Sequence, residues 1–490
     1  MQYISTRDRN NRVSAAQAIV QGLASDGGLF VPETFPQVSL KFIEGLLPMD
    51  YAQRAKTILG LFLDDYTQEE LEAAVSAYQT RFEGGAAPLS MLKSGAAMLE
   101  LWHGPTQAFK DMALQVLPHL MGAGMKKLNM PEEVLILVAT SGDTGKAALE
   151  GFKDVAKTGV MVFYPDGGVS AAQRLQMVTQ EGGNVNVSGV RGNFDDAQTG
   201  VKKIFGDREY AAQLKERGVV LSSANSINWG RLVPQVAYYF SAYADMVKLG
   251  KVCLGDKVNF CVPTGNFGNI LAAYYAMRMG LPVGKLLCAS NTNKVLADFI
   301  ETGVYDRRRD FYKTTSPSMD ILISSNLERL LFEISGRDDG VVKGWMADMG
   351  EKGYYDIGDS ARSAMGEIFE GGWADDARAA KAIKDAFDTG YLMDPHTAVA
   401  LAVYEEAADK TGPWVIVSTA SPYKFSKDVL NALGQAAPED EFACLKALNA
   451  YAAMPIPAQL SALEGKAQRH LTVCEIGDME KTVSQLCVNK

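Results

Sequence analysis

Lys257-Val-Asn-Phe-Cys-Val-Pro-Thr-Gly-Asn-Phe-Gly-Asn-Ile-Leu-Ala-Ala-Tyr-Tyr-Ala-Met-Arg-Met279 is an apolar run that passes through glycine into a second, longer run. The part ending at Pro263 reads as a buried strand. Ile270 to Met279 reads as a helix, closed by Gly280 and Pro282. Between them lies Thr264-Gly265-Asn266-Phe267-Gly268-Asn269. A glycine-rich turn from strand into helix exposes several backbone N–H groups, and the helix start adds roughly half a positive charge. Such a turn binds phosphate without any basic side chain. It can equally be a tight connection in which glycine serves steric needs alone. It does not fit the dinucleotide pattern G-x-G-x-x-G.

Outward from this stretch, strands and helices alternate. Val134–Ala139, Val160–Tyr164, Val185–Gly189, Leu286–Ser290 and Trp414–Ser418 read as strands, and Thr144 to Phe152 begins a helix. Alternation of this kind points to parallel sheets covered by helices. We expect a smaller αβ domain over 115–230 and a larger one over 231–490. Residues 1–95 carry helical patterns such as Tyr66 to Phe82, and the Gly- and Asp-rich stretch 335–375 reads as irregular. At 490 residues the chain suggests several domains.

The stretch His103-Gly-Pro-Thr-Gln-Ala-Phe-Lys-Asp111 places Lys110 after a polar turn, among mostly uncharged neighbours. Lys110 could be a surface cation opening a helix whose apolar face is Phe109, Met112, Ala113 and Val116. It could also be a desolvated amine, which loses its proton readily and attacks a carbonyl. An amine of that kind together with a phosphate cradle suggests pyridoxal phosphate, whose aldehyde needs the first and whose phosphate needs the second.

Composition narrows the partners. A formal net charge of −10 argues against nucleic acid, and no run approaches a membrane span. Arg307-Arg308-Arg309, flanked by Asp306 and Asp310, reads as a solvated edge. The six cysteines show no C-x-x-C pair and only four histidines accompany them, so no metal site is expected. Cys261 and Cys288 read as reduced core residues. The N-terminus lacks an apolar signal region, which makes the cytoplasm the default location.

Thr140-Ser-Gly-Asp-Thr-Gly-Lys146 sits between a strand and a helix. A P-loop would need a glycine at the first of these positions and a hydroxyl just after the lysine, where the chain has Thr140 and Ala147. The stretch reads as an N-cap supplied by Ser141 or Asp143, or as a carboxylate-binding turn. Lys146 reads as a solvated helix residue. In Asn225-Ser-Ile-Asn-Trp-Gly-Arg231, the guanidinium suits either a structural pair or a phosphate dianion. Thr419 follows the end of a strand, where αβ folds place ligands. His396 reads as a helix cap with no catalytic role.

Taken in order, the motifs around Lys110, the GNFGN loop and Ser418-Thr-Ala-Ser-Pro422 resemble the threonine synthase family. Ala139–Gly145, Asn225–Arg231, Asp394–Val399 and Gly22–Pro32 match as well. The resemblance implies the α/β, two-domain pyridoxal-phosphate fold type II (tryptophan synthase β-like) with an additional N-terminal, mainly helical region, and it assigns 96–114 to the larger domain. It implies conversion of O-phospho-L-homoserine and water to L-threonine and phosphate. Lys110 would hold the cofactor and move protons. Gly265, Asn266, Phe267, Gly268 and Asn269 would bind its phosphate, Thr419 its ring nitrogen and Asp143 its ring hydroxyl. Ser141 and Thr144 would hold the substrate carboxylate; Asn225, Ser226 and Arg231 would hold its phosphate. Many relatives have Asn where this chain has Asp143, and an ionised carboxylate cannot donate to a ring oxygen. The oligomeric state stays open, with a monomer favoured.

Overall fold

The computed structural model describes residues 1–407 and 409–488. Two parallel sheets dominate it. The larger has six strands, in the order Phe369–Trp373, Val283–Ser290, Val258–Pro263, Trp414–Ser418, Ala97–Glu100 and Leu89–Met91. Only the last is antiparallel. The smaller has five parallel strands, in the order Val473–Glu475, Val185–Arg191, Thr158–Pro165, Glu133–Ala139 and Val219–Ser223. Their central strands are buried on both faces, which explains why they read as unbroken apolar runs.

Between the sheets and the N-terminal region runs the helix Trp229–Lys248, with apolar residues on every side and nearly all of them buried. The helices Tyr51–Phe62 and Gln68–Val75 belong to that region. Both begin with a reciprocal cap, Asp50 with Gln53 and Thr67 with Glu70. A small antiparallel sheet of Tyr3–Ser5, Arg12–Val13 and Phe30–Pro32 completes the region.

Three expectations need correction. The stretch 335–375 is regular: helices Asp339–Glu351 and Gly358–Gly366 lead into the edge strand Phe369–Trp373. Its glycines mislead because one of them is steric. A Cβ on Gly371 would lie 2.7 Å from the carbonyl oxygen of Ala297. The larger unit also does not extend to the C-terminus, since Val473–Glu475 pairs with Val185–Arg191 and Met479 and Val483 pack beneath the smaller sheet. Lys146 is not solvated. Its side chain is 12% exposed and paired with Glu150 at 3.1 Å.

The arginine run lies at an edge as expected, Arg308 forking onto Asp306 and Arg309 reaching Asp298. Cys261 and Cys288 are buried free thiols on adjacent strands. The side chain of Cys487 lies outside the described residues.

Candidate active site

In the larger sheet, Val258–Pro263, Trp414–Ser418 and Ala97–Glu100 are consecutive parallel neighbours. Their C-terminal ends lead into the glycine loop, Thr419 and the Lys110 loop. In the smaller sheet, Glu133–Ala139 and Val219–Ser223 are likewise neighbours, leading into Ser141–Thr144 and Asn225–Arg231. Five strand ends from two sheets therefore deliver every candidate residue to one place. They line two adjoining cavities, which share Lys110, Asn266 and Ser318.

The first cavity holds Lys110, Ser226, Arg231, the whole Gly265–Asn269 loop and Thr419; the second holds Ser141, Asp143, Thr144 and Asn225. Asn225 lines the second of the two adjoining cavities and Ser226 and Arg231 the first, although all three leave the same strand.

The Lys110 loop is held rigidly. Asp111 accepts from the N–H and hydroxyl of Thr106, at 2.7 and 2.8 Å. The backbone N–H of Phe109 donates to Thr419, and that of Ser421 donates to Gln107. Gln107 takes a left-handed φ of 61° to make the turn, a conformation that costs energy and recurs at functional sites. Burial, helped by the charge of Arg231 and opposed by Asp143, pushes the Lys110 amine down to about 7. Lys110 is half-buried at the start of the helix Asp111–Leu114 and lines both cavities.

The glycine loop ends in Phe267, at φ 62°, with no side chain capping the helix Gly268–Met279. Its first N–H groups and its dipole are left for a ligand. Gly265 is required by close approach, because a Cβ there would sit 2.8 Å from the carbonyl oxygen of Ser318. Asn269 accepts through Oδ1 from Tyr238 and Tyr239. Its Nδ2 has no partner among the described residues.

Arg231, 1% exposed, donates to the carbonyl of Ala224. Among the described residues its Nε has no partner and no carboxylate pairs with it. A buried guanidinium without a counter-ion is costly, and burial pushes it down to about 10. The neighbouring turn is braced by a second buried arginine, Arg329, which donates to the carbonyls of Ser226 and Ile227.

On the opposite wall, neither Ser141 nor Asp143 caps the helix Asp143–Phe152. The hydroxyl of Thr140 accepts from the N–H groups of Gly142 and Gly145, both at 2.9 Å. Asp143 is instead ion-paired with Lys424, at 2.5 Å. His396 is not the helix cap either; Asp394 is. The ring accepts at Nε2 from the N–H of Ser318 at 3.1 Å and meets Asp394 through Nδ1 at 2.6 Å. This places the proton on Nδ1. Ser318 and Lys424 escape a reading of the sequence, and His396 is read there only as a cap, because isolated polar residues acquire meaning only through tertiary approach.

The Lys110 amine thus shares a cavity with the start of the helix Gly268–Met279, which no side chain among the described residues caps. The fold and site define a fold type II enzyme of the tryptophan synthase β-like class. Residues 2–78 match the model of the threonine synthase N terminus, and 397–484 that of the threonine synthase C-terminal region. Human threonine synthase-like 1 is 40% identical, over 100% of this chain and 69% of that protein. The threonine synthase of Pseudomonas aeruginosa is 37% identical, over 89% of this chain and 91% of that one. The pyridoxal-phosphate-bound threonine synthase structure from Brucella melitensis superposes with a TM-score of 0.87, at 37% identity and 99% coverage of both chains. The chain belongs to the threonine synthase family.

Proposed function

We propose that the chain binds pyridoxal phosphate and converts O-phospho-L-homoserine and water to L-threonine and phosphate. The observation that carries this reading is the buried Arg231 guanidinium, without a carboxylate partner among the described residues, in the cavity that also holds the Lys110 amine. The glycine loop already provides for one phosphate, and a second anion would give Arg231 its missing partner. In this reading Gly265–Asn269 hold the cofactor phosphate, Thr419 faces the ring nitrogen and Asp143 the ring edge. Ser141 and Thr144 take the substrate carboxylate, and Asn225, Ser226 and Arg231 its phosphate. The first 95 residues and the two αβ units would form the domains.

The cofactor, once bound, supplies an electron sink for negative charge developing on the substrate carbons. Lys110 would hold the cofactor through its aldehyde, and its amine would be free for proton transfer once substrate is bound. The freed Nζ would take the Cα proton, pass it on, and then take a Cβ proton, acting as general base for one proton at a time. The Cγ–O bond breaks and phosphate leaves with the bonding pair, steadied by Arg231. Cγ gains a proton, water adds its hydroxyl at Cβ, and Cα is reprotonated. The sum is one phosphate and one threonine per substrate.

Two consequences can be measured. The cofactor-free Lys110 amine is protonated below about pH 7 and neutral above it. Capture of pyridoxal phosphate, followed by visible absorption, should therefore accelerate as pH rises through 7 and level off above it. A rate independent of pH from about 6 to 8 would contradict the buried-amine reading. Gly265→Ala should loosen the cofactor and lower kcat/KM by about 10²-fold, because a misplaced phosphate misplaces the reacting carbon. A coupled assay for phosphate and threonine tests the proposal itself. Phosphate and threonine released together support it; 2-oxobutyrate from threonine without use of O-phosphohomoserine would make the chain a dehydratase.

A further inference from the structure

Lys424 is buried to 0% exposure, and none of the steps above uses it. It stands in the short turn Pro422–Phe425, just beyond Thr419. Its Nζ donates to the carbonyl of Thr106 at 3.0 Å and lies 2.5 Å from Oδ1 of Asp143. Thr106 belongs to the loop that presents Lys110. Asp143 begins the helix that follows the strand Glu133–Ala139 of the smaller sheet. One ammonium thus ties together segments that leave three strands in two sheets.

Asp143 is held from other directions as well. Gln173 donates to Oδ1 at 3.0 Å, and the hydroxyl of Ser318 donates to Oδ2 at 3.3 Å. A buried ion pair is costly to desolvate, and it adds little stability over a well-packed apolar pair. It is informative where it fixes one geometry among several, because losing either partner strands a buried charge.

We propose that Lys424 is a positioning residue that pins Asp143, and with it the Ser141–Thr144 turn, against the Lys110 loop across the gap between the two sheets. The inference rests on reading this cavity as the reaction site. It also explains why an aspartate is tolerated beside the cofactor: its charge is matched by Lys424.

Burial works to raise the Asp143 carboxyl, yet Lys424, His396 and Gln173 together hold it down at about 2. The titratable groups facing it are Lys424, His396 and Lys110. Without Lys424 the burial remains and the largest opposing charge is gone. Asp143 would then take up its proton at higher pH, and the acid limb of activity would move with it.

The test is a double-mutant cycle on the full chain, with Lys424→Met, Asp143→Asn and both together, and Lys424→Arg as the conservative variant. Pyridoxal phosphate affinity, the pH profile of kcat/KM and the cofactor-free melting temperature are measured for each. Lys424→Met should weaken cofactor affinity about tenfold or more and shift the acid limb upward, and Lys424→Arg should recover part of both. In the Asp143→Asn background, Lys424→Met should cost much less, because the two residues act as one unit. Unchanged affinity and acid limb in Lys424→Met, or an equal loss in both backgrounds, would overturn the proposal. If Lys424→Met does not fold alone, a folded, cofactor-binding double variant supports the pairing and an unfolded one contradicts it. Failure of the wild type to release phosphate from O-phosphohomoserine would sink the functional reading, while affinity and melting temperature would still decide on Lys424.

Discussion

Replacing Lys110 by alanine is expected to lower kcat by about 10⁴-fold or more, since one group is both the cofactor's anchor and the base. The fold should survive. The Lys110 side chain makes no ion pair among the described residues, and its nearest aromatic contact is the ring of Phe109 at 4.3 Å. A pH signature separates this outcome from general damage. The amine sits at about 7 in the folded chain against an ordinary 10.5. Between those values the unfolded chain binds one proton more than the folded one, so the cofactor-free protein gains stability as pH rises. Lys110→Ala should lose that slope and be relatively more stable at the low end of the window. Thermal denaturation from about pH 7 to 10 checks this. A variant that keeps turnover, or keeps the slope, would remove Lys110 from its assigned role.

The second large effect is expected at Arg231. Arg231→Leu should lower kcat/KM for O-phosphohomoserine by about 10³-fold, in the range found when one partner of a buried charge pair is lost. Stability should hold or rise, because the wild-type guanidinium is buried without a carboxylate partner among the described residues. Pyridoxal phosphate should still bind, as the uncapped start of Gly268–Met279 provides for its phosphate independently. Arg231→Lys should recover little, since an ammonium cannot fork onto two phosphate oxygens. The residue shares its cavity with the glycine loop, so cofactor and substrate affinities are measured separately. Loss of the cofactor with unchanged use of O-phosphohomoserine by saturated enzyme would reassign Arg231 to the cofactor phosphate.

Much of the fold is legible in the residues alone where burial is two-sided. The apolar run Trp414–Ser418 coincides with its strand, and Leu286–Ser290 marks the inner part of Val283–Ser290. The Lys110 loop and glycine loop stand out because amine and phosphate chemistry restrict residue types strongly. What escapes depends on contacts distant in sequence. Val473–Glu475 is only three residues long and becomes a strand by pairing with Val185–Arg191. The edge strand Phe369–Trp373 hides behind glycines, one of which a neighbouring backbone requires. Thr140, rather than Ser141 or Asp143, receives the N–H groups of Gly142 and Gly145, and nothing in residues 139–146 announces the lysine that arrives from 424 to pair with Asp143.

In the proposed reaction phosphate leaves by carbon–oxygen cleavage at Cγ while water enters at Cβ. The most direct measurement is turnover of O-phospho-L-homoserine in heavy-oxygen water, with mass analysis of both products. The label is expected in the threonine hydroxyl, with none in the phosphate released. Labelled phosphate accompanied by homoserine would mean phosphorus–oxygen cleavage, and would contradict it.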